Sequence, residues 1–144
     1  EKTNQEIPSV NICLEDGTWS GLTFHGVPGG HEFTSFILGI YNVAGPGQKI
    51  EQTYLERIDK INKEINIKII VSLSCTMCPE LVTSAQRIAS LNKQITTEVY
   101  DIQHFKQLKD QYQIMSVPCM VINDQKVVFG KKNIEQILEI IENV

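Results

Sequence analysis

Hydrophobic and polar positions follow two periods along this chain, and each period predicts one kind of element. Short apolar runs, some alternating with polar residues, predict strands at 10–14, 19–24, 66–73, 95–100, 118–123 and 126–129. Apolar residues that recur every three to four positions predict helices at 31–43, 48–63, 77–91, 103–112 and 133–143. The predicted order is therefore two strands and two helices, followed by strand–helix–strand–helix–strand–strand–helix.

The second part of the chain predicts an α/β fold. A strand–helix–strand connection favours parallel pairing through a right-handed crossover. A hairpin and a closing helix follow, and this helix carries Ile134, Ile137, Leu138 and Ile141 at amphipathic spacing. We expect a central mixed sheet flanked by helices.

The first part repeats the end of the second. Ile7-Pro8 precedes a strand, a turn, a strand and a helix, as Val117-Pro118 does. An isolated ββα unit cannot bury both faces of its sheet, so we expect it to share the core of the second part. The predicted organisation is a partial ββα unit at 1–46, a connecting helix at 47–64 and a complete fold at 65–144.

Three side chains and one helix in residues 1–64 are predicted to be buried. Helix 31–43 has almost no polar face, which favours burial on most sides. Tyr41 and Tyr54 occupy helical positions typical of core residues, and Cys13 lies in a predicted strand.

Composition narrows the classes of function. The 144 residues are 42% apolar and carry a net charge of −4 with acidic and basic residues mixed, so we expect no nucleic-acid partner. No apolar run reaches the ~18 residues of a membrane span. Residues 1–6 are polar and show no signal-peptide core. Together with a cysteine pattern unlike a secreted disulfide framework, this predicts a cytoplasmic protein.

The candidate chemistry lies in Cys75-Thr76-Met77-Cys78, between a predicted strand and a predicted helix. Unpaired N–H groups at a helix start favour an anion, so Cys75 is the predicted nucleophile. Cys78 follows about one turn later, near enough to form a disulfide with Cys75 and act as the resolving thiol. A zinc half-site is the alternative, but no second Cys-x-x-Cys or His-x-x-x-His is present, and we expect no metal.

Other candidate features are weaker. Cys119 follows Pro118 directly, and strand alternation favours a core position over a redox role. The glycine-rich stretch 26–30 lacks the Gly-Lys-Ser/Thr ending of a phosphate loop. No flavin or nicotinamide site is recognisable, so we expect no bound cofactor.

Three segments carry a family resemblance. Residues 26–36 (GVPGGHEFTSF) and 71–79 (VSLSCTMCP) resemble the N-terminal domain of the flavoprotein subunit of alkyl hydroperoxide reductase. That domain is similar to two fused thioredoxin folds, of which only the second is redox-active. Residues 112–118 are similar to the segment before the cis-proline of thioredoxins. The resemblance begins near Pro8, and neither the flavin domain nor the first half of the first fold is in this sequence. Thr76-Met77 also differs from the residues usual there.

The resemblance implies specific roles. Pro118 is expected to be cis and to lie against the cysteine pair. Glu32 is expected to supply the buried carboxylate that moves the proton of Cys78, because strand 66–73 contains no acidic residue. Without the resemblance, Glu32 is more simply a first-turn residue that stabilises a helix N-terminus.

The predicted function is thiol–disulfide exchange. The resemblance implies a peroxiredoxin as the disulfide-bearing substrate and a flavin-dependent dithiol reductase as the electron donor. Two alternatives stay open: a general, glutaredoxin-like protein disulfide reductase, and a peptide-binding module without redox chemistry.

Overall fold

One six-stranded sheet forms the centre of the molecule in a computed structural model, which describes residues 7–144. Its strands are β1 (Ser9–Cys13), β2 (Trp19–His25), β3 (Ile65–Val71), β4 (Ile95–Asp101), β5 (Cys119–Ile122) and β6 (Lys126–Phe129). The helices are α1 (Phe33–Ala44), α2 (Gln52–Asp59), α3 (Cys78–Leu91), α4 (Gln107–Gln111) and α5 (Ile134–Glu142), with a 3₁₀ turn at Gly30–Glu32. The strand order is β1-β2-β4-β3-β5-β6. Strands β2, β4 and β3 are parallel, whereas the other pairs are antiparallel, so the predicted mixed sheet is confirmed.

Both faces of the sheet are covered at β3, because successive side chains of a strand point to opposite faces. Ile67 and Ile69 belong to the larger core cluster, with side chains of α2, α3 and α5. Ile70 belongs to a smaller cluster with Leu108 of α4. The larger cluster also contains Leu22 and Phe24 of β2, so the first part shares the core as predicted.

The predicted repeat is visible in the hairpins. In β1–β2 the partners run from Ser9↔His25 to Ile12↔Leu22, and in β5–β6 from Cys119↔Phe129 to Ile122↔Lys126. The N–H of Gly26 donates to the Pro8 carbonyl at 2.7 Å, and the N–H of Gly130 donates to the Pro118 carbonyl at 3.0 Å. Both prolines follow cis peptide bonds. The unit boundaries at 46 and 64 stay a prediction, and residues 1–6 of the first unit lie outside the described part.

The prediction that helix 31–43 is buried on most sides is wrong. Phe33, Ile37, Ile40 and Tyr41 are each between 42% and 56% exposed. The buried residues of α1 are instead small or polar, Ser35, Gly39 and Asn42, while Phe36 and Val43 are half-buried against the larger core cluster. Tyr41 is therefore not a core residue, whereas Tyr54 is half-buried against the larger core cluster.

The prediction for Cys13 is also wrong, because this residue is exposed. Strand β1 lies at the edge of the sheet, and its register shifts between Ile12 and Cys13. The neighbouring Ile12 is buried in the core, so alternation along the strand turns Cys13 to the opposite, outer side. Helices α2 and α4 are shorter than predicted. In the described part of the chain, no helix has the length and apolar character of a membrane span.

Candidate functional site

The predicted site residues meet at the edge of the sheet where the parallel strands end. The turn with the cysteine pair follows β3 directly. Ile70, near the end of β3, lies opposite Cys119, so Pro118 lies beside the same strand end. The 3₁₀ turn that follows β2 is joined to this region by a hydrogen bond from the His31 N–H to the Leu73 carbonyl, at 2.9 Å.

The two cysteines differ in accessibility. Cys75 lies half-buried in the turn, where its N–H donates to the Ser72 carbonyl at 3.0 Å. Cys78 begins α3 and is fully buried. Pro79 follows in the first turn, where its missing N–H costs no helical hydrogen bond. Both cysteines are free thiols.

Burial keeps Cys78 protonated. It raises the pKa of the Cys78 thiol well above its usual value, and contact with the Cys75 sulfur adds to this increase. A hydrogen bond with the Ser72 backbone acts in the opposite direction and is outweighed. Cys75 is therefore the more accessible of the two thiols, and Cys78 is the one that burial holds in the protonated form.

Glu32 is an acidic group close to Cys78. It ends the 3₁₀ turn, is fully buried, and its charge raises the pKa of Cys78. Burial raises the pKa of the Glu32 carboxyl to about 7. Within residues 7–144 neither of its oxygens has a hydrogen-bond partner in good geometry, although the nearby Ser35 hydroxyl lowers the pKa slightly. The first part of the chain thus supplies a carboxyl beneath the thiols of the second.

Gly30 allows the turn that carries Glu32 to approach β3. Its φ is +52°, in the left-handed region, and a Cβ there would lie 2.5 Å from the Leu73 carbonyl oxygen. Since both conformation and space exclude a side chain, glycine is required for this contact.

The loop before β5 completes the rim of the site. The Val117–Pro118 peptide bond is cis, as the resemblance implies. No hydrogen bond within the described chain engages the N–H of Val117. Met115 on this loop is 88% exposed, and Met77, beside the cysteine pair, is 50% exposed. The rim therefore offers an unpaired backbone donor and two apolar side chains to solvent.

The other two cysteines lie elsewhere. Cys119 is fully buried on the opposite face of the sheet from Cys78, packed with Ile70 and Tyr100, and burial raises its pKa to about 11. Cys13 lies opposite Trp19, at the far end of β2 from the site. Among residues 7–144, no group of three or more His, Cys, Asp or Glu side chains is placed to hold a metal ion.

Sequence reasoning missed Ser35, Leu73 and Met115. Ser35 lies one helical turn after Glu32, and this spacing is the signal that could have identified it. The contact of Leu73 with the 3₁₀ turn depends on a backbone carbonyl and left no signal in the sequence.

Comparison with known proteins agrees with this geometry. The thioredoxin domain family matches residues 65–142. The chain belongs to this family. It is similar over 94% of its length to the solved N-terminal domain of the alkyl hydroperoxide reductase AhpF from Enterococcus faecalis, with 40% identity and a TM-score of 0.89, and covers 65% of that chain. The resemblance to this domain, including the added ββα unit, is confirmed.

Two curated relatives are much longer than this thioredoxin-family chain. An NADH dehydrogenase of Ferdinandcohnia aciditolerans is 35% identical over 96% of this chain, which covers 27% of that protein. The F component of alkyl hydroperoxide reductase in Staphylococcus aureus is 31% identical over 96% of this chain, again covering 27%. The chain thus spans about a quarter of the length of the curated relatives that it matches.

Proposed function

We propose that this chain is a thiol–disulfide oxidoreductase that passes electron pairs through Cys75 and Cys78 to a disulfide on another protein. The observation that carries the proposal is the arrangement of the two sulfurs. Cys75 is half-buried at the surface, whereas Cys78 is fully buried beside the Glu32 carboxyl. Cys75 is placed to form a bond with a partner's sulfur, and Cys78 is placed to break that bond and release the partner.

In the first step, the Cys75 thiolate attacks one sulfur of the partner's disulfide. A bond forms between Cys75 and that sulfur, and the partner's own S–S bond breaks. The partner's second sulfur leaves as a thiolate and takes a proton from water. The product is a mixed disulfide held at the mouth of the site.

In the second step, Cys78 gives its proton to the Glu32 carboxylate and attacks the Cys75 sulfur. The Cys75–Cys78 bond forms, and the partner's remaining sulfur leaves as a thiolate that is protonated in turn. Burial opposes spontaneous ionisation of Cys78, so a base is required. A carboxyl whose pKa is raised to about 7 accepts and returns a proton efficiently near neutral pH. Two electrons have then left the chain, and a donor dithiol restores them by the reverse steps.

The proposed acceptor is a peroxiredoxin, and the proposed donor is a flavin-dependent dithiol reductase, with the cytoplasm as the compartment. The names of the Staphylococcus and Enterococcus relatives support this choice. The unpaired Val117 N–H supports an extended partner segment, which would pair its backbone beside Pro118.

A second candidate is a general protein disulfide reductase. The exposed side chains of Met77 and Met115 favour it, because methionine is flexible and adapts to varied apolar surfaces. A site with such a rim suits several partners rather than one.

A coupled assay tests the proposal. Reduced protein is mixed with an oxidised peroxiredoxin, and NADPH consumption is followed through a dithiol reductase. We expect turnover that Cys75→Ser abolishes and that Cys119→Ser, at a cysteine on the other face, leaves intact. Reduction of insulin without reduction of the peroxiredoxin would favour the general reductase. No turnover with either substrate, together with peptide binding that survives Cys75→Ser, would favour the binding module.

A further inference from the structure

We propose that Ser35 is a positioning residue for Glu32: the Ser35 hydroxyl donates a hydrogen bond to the Glu32 carboxylate when that carboxyl is ionised. The inference rests on the proposed role of Glu32. It adds a contact that stabilises the form of Glu32 that accepts the proton of Cys78.

Ser35 and Glu32 form a donor–acceptor pair by position. They are three residues apart at the start of α1, a spacing that places side chains on the same face. Ser35 is 1% exposed, and within residues 7–144 its Oγ, like both Glu32 oxygens, has no partner in good hydrogen-bond geometry. Buried polar atoms in proteins are almost always paired, so two neighbouring unpaired groups call for an explanation. A hydroxyl rotates freely and can donate to a carboxylate that has just lost its proton.

Ser35 also lines a surface groove of about 350 Å³ next to the cysteine pair. The groove is bounded by α1 on one side and by Pro79, Glu80 and Thr83 of α3 on the other. Glu32 is not part of its lining and the Ser35 Oγ is itself buried, so both groups lie beneath the groove. The Nε2 of Gln86 donates to the Ser35 carbonyl at 2.9 Å, which fixes this backbone against α3.

Few titratable groups surround Glu32. Helix α3 presents Cys78, with Cys75 beyond it in the preceding turn, and Glu80 at the groove. On its own turn His31 is exposed. No charged side chain of the described part of the chain perturbs the Glu32 carboxyl, and Ser35 is the one group that opposes the effect of burial.

The Ser35 hydroxyl can serve both protonation states of Glu32. When Glu32 is ionised, the hydroxyl donates to the carboxylate, which can then take the proton of Cys78. When Glu32 is protonated, the same oxygen can accept from the carboxylic acid.

A carboxyl titration tests the inference. The Glu32 side-chain carbon is followed by NMR against pH in the wild type, Ser35→Ala, Ser35→Thr and Thr34→Ala. Hydrogen bonding to the charged form favours that form, so Ser35→Ala should raise the Glu32 midpoint by about one pH unit. Ser35→Thr keeps a hydroxyl and should show the Glu32 midpoint of the wild type. Thr34→Ala, at an exposed position on the same groove, should leave it unchanged.

The rate of thiol–disulfide exchange gives a second readout. In Ser35→Ala we expect the inflection of the pH–rate profile to move upward with the Glu32 midpoint. Alanine is the best helix former, so folding of this variant is expected, and Ser35→Thr provides an independent check. An unchanged Glu32 midpoint in Ser35→Ala would overturn the inference. If the exchange rate of Glu32→Gln equals that of the wild type at every pH, the proposed role of Glu32 is overturned. The titration still reports the Ser35 contact in that case.

Discussion

The Glu32 carboxyl and the Cys78 thiol are both fully buried, and the charge of Glu32 raises the pKa of Cys78. They come from different parts of the chain, one from the turn after β2 and the other from the start of α3. Two acidic groups that share a buried volume disfavour simultaneous ionisation. A single proton held by one of the two groups avoids this double charge. Ionisation of Cys78 and protonation of Glu32 therefore occur together.

This arrangement predicts a pH-dependent loss of stability. Burial raises the pKa of Glu32 from 4.5 to about 7, so the fold prefers the protonated carboxyl. Below pH 4.5 the group is protonated whether the chain is folded or not, and the penalty develops as pH rises from 4.5 to about 7, above which both states are ionised. Relative to Glu32→Gln, the wild type should lose up to ~3 kcal/mol of unfolding free energy by pH 8.

Urea unfolding of both proteins at a series of pH values between 4 and 8 measures this difference. The glutamine variant is a matched control, because it keeps the shape of the side chain and removes its titration. Parallel stability curves for the two proteins would show that Glu32 is not held in its protonated form.

Thiol accessibility predicts a pattern of alkylation. Cys75 and Cys13 are reachable, whereas Cys78 and Cys119 are fully buried with raised pKa values. Iodoacetamide at neutral pH should label Cys75 and Cys13 in the folded protein, and the proposed role of Cys75 as the nucleophile predicts that Cys75 reacts faster. The two buried thiols should react after unfolding, and mass mapping reads out the order. If Cys75 reacts no faster than Cys13, the binding-module hypothesis gains support.

Substitution of Gly30 should damage both stability and chemistry. Alanine there faces a φ of +52° and a Cβ position 2.5 Å from the Leu73 carbonyl oxygen. We expect a loss of about 1–3 kcal/mol of unfolding free energy together with slower exchange, because Glu32 moves with the turn.

Gly17→Ala is the control for the backbone conformation alone. Gly17 has a φ of +88°, and no atom lies within 4 Å of the position that a Cβ would occupy there. The excess cost of Gly30→Ala over Gly17→Ala therefore measures the contact with Leu73. Equal costs in the two variants would mean that this contact is not what requires glycine.

Features encoded in short stretches of sequence were predicted well. The strands of the second part follow from apolar runs, and the repeat follows from two X-Pro–strand–turn–strand patterns that fold with the same register. The cysteine pair is recognisable because its spacing and its place between strand and helix are local properties. The position of Glu32 beneath Cys78 is not local, and it was expected from the family resemblance alone.

Features that depend on what covers a surface were not predictable. Helix α1 is apolar on most sides, but its buried residues are Ser35, Gly39 and Asn42, and Ile37 is exposed. Apolar character does not tell which side of a helix has a neighbour. Cys13 fits a strand pattern as well as its neighbours do, but that pattern does not show that β1 is an edge strand on which Ile12 faces the core and Cys13 faces away.

The second exchange step is the most direct test of the central claim that Glu32 takes the proton of Cys78. An aromatic disulfide such as 5,5′-dithiobis(2-nitrobenzoate) gives one coloured thiolate when Cys75 attacks and a second when Cys78 resolves the adduct, and stopped-flow absorbance separates the two. In the wild type, the second rate should rise with pH through an inflection near the Glu32 pKa of about 7. In Glu32→Gln the inflection should vanish and the rate at neutral pH should fall about a hundredfold. The same rate and the same inflection in both proteins would contradict the account.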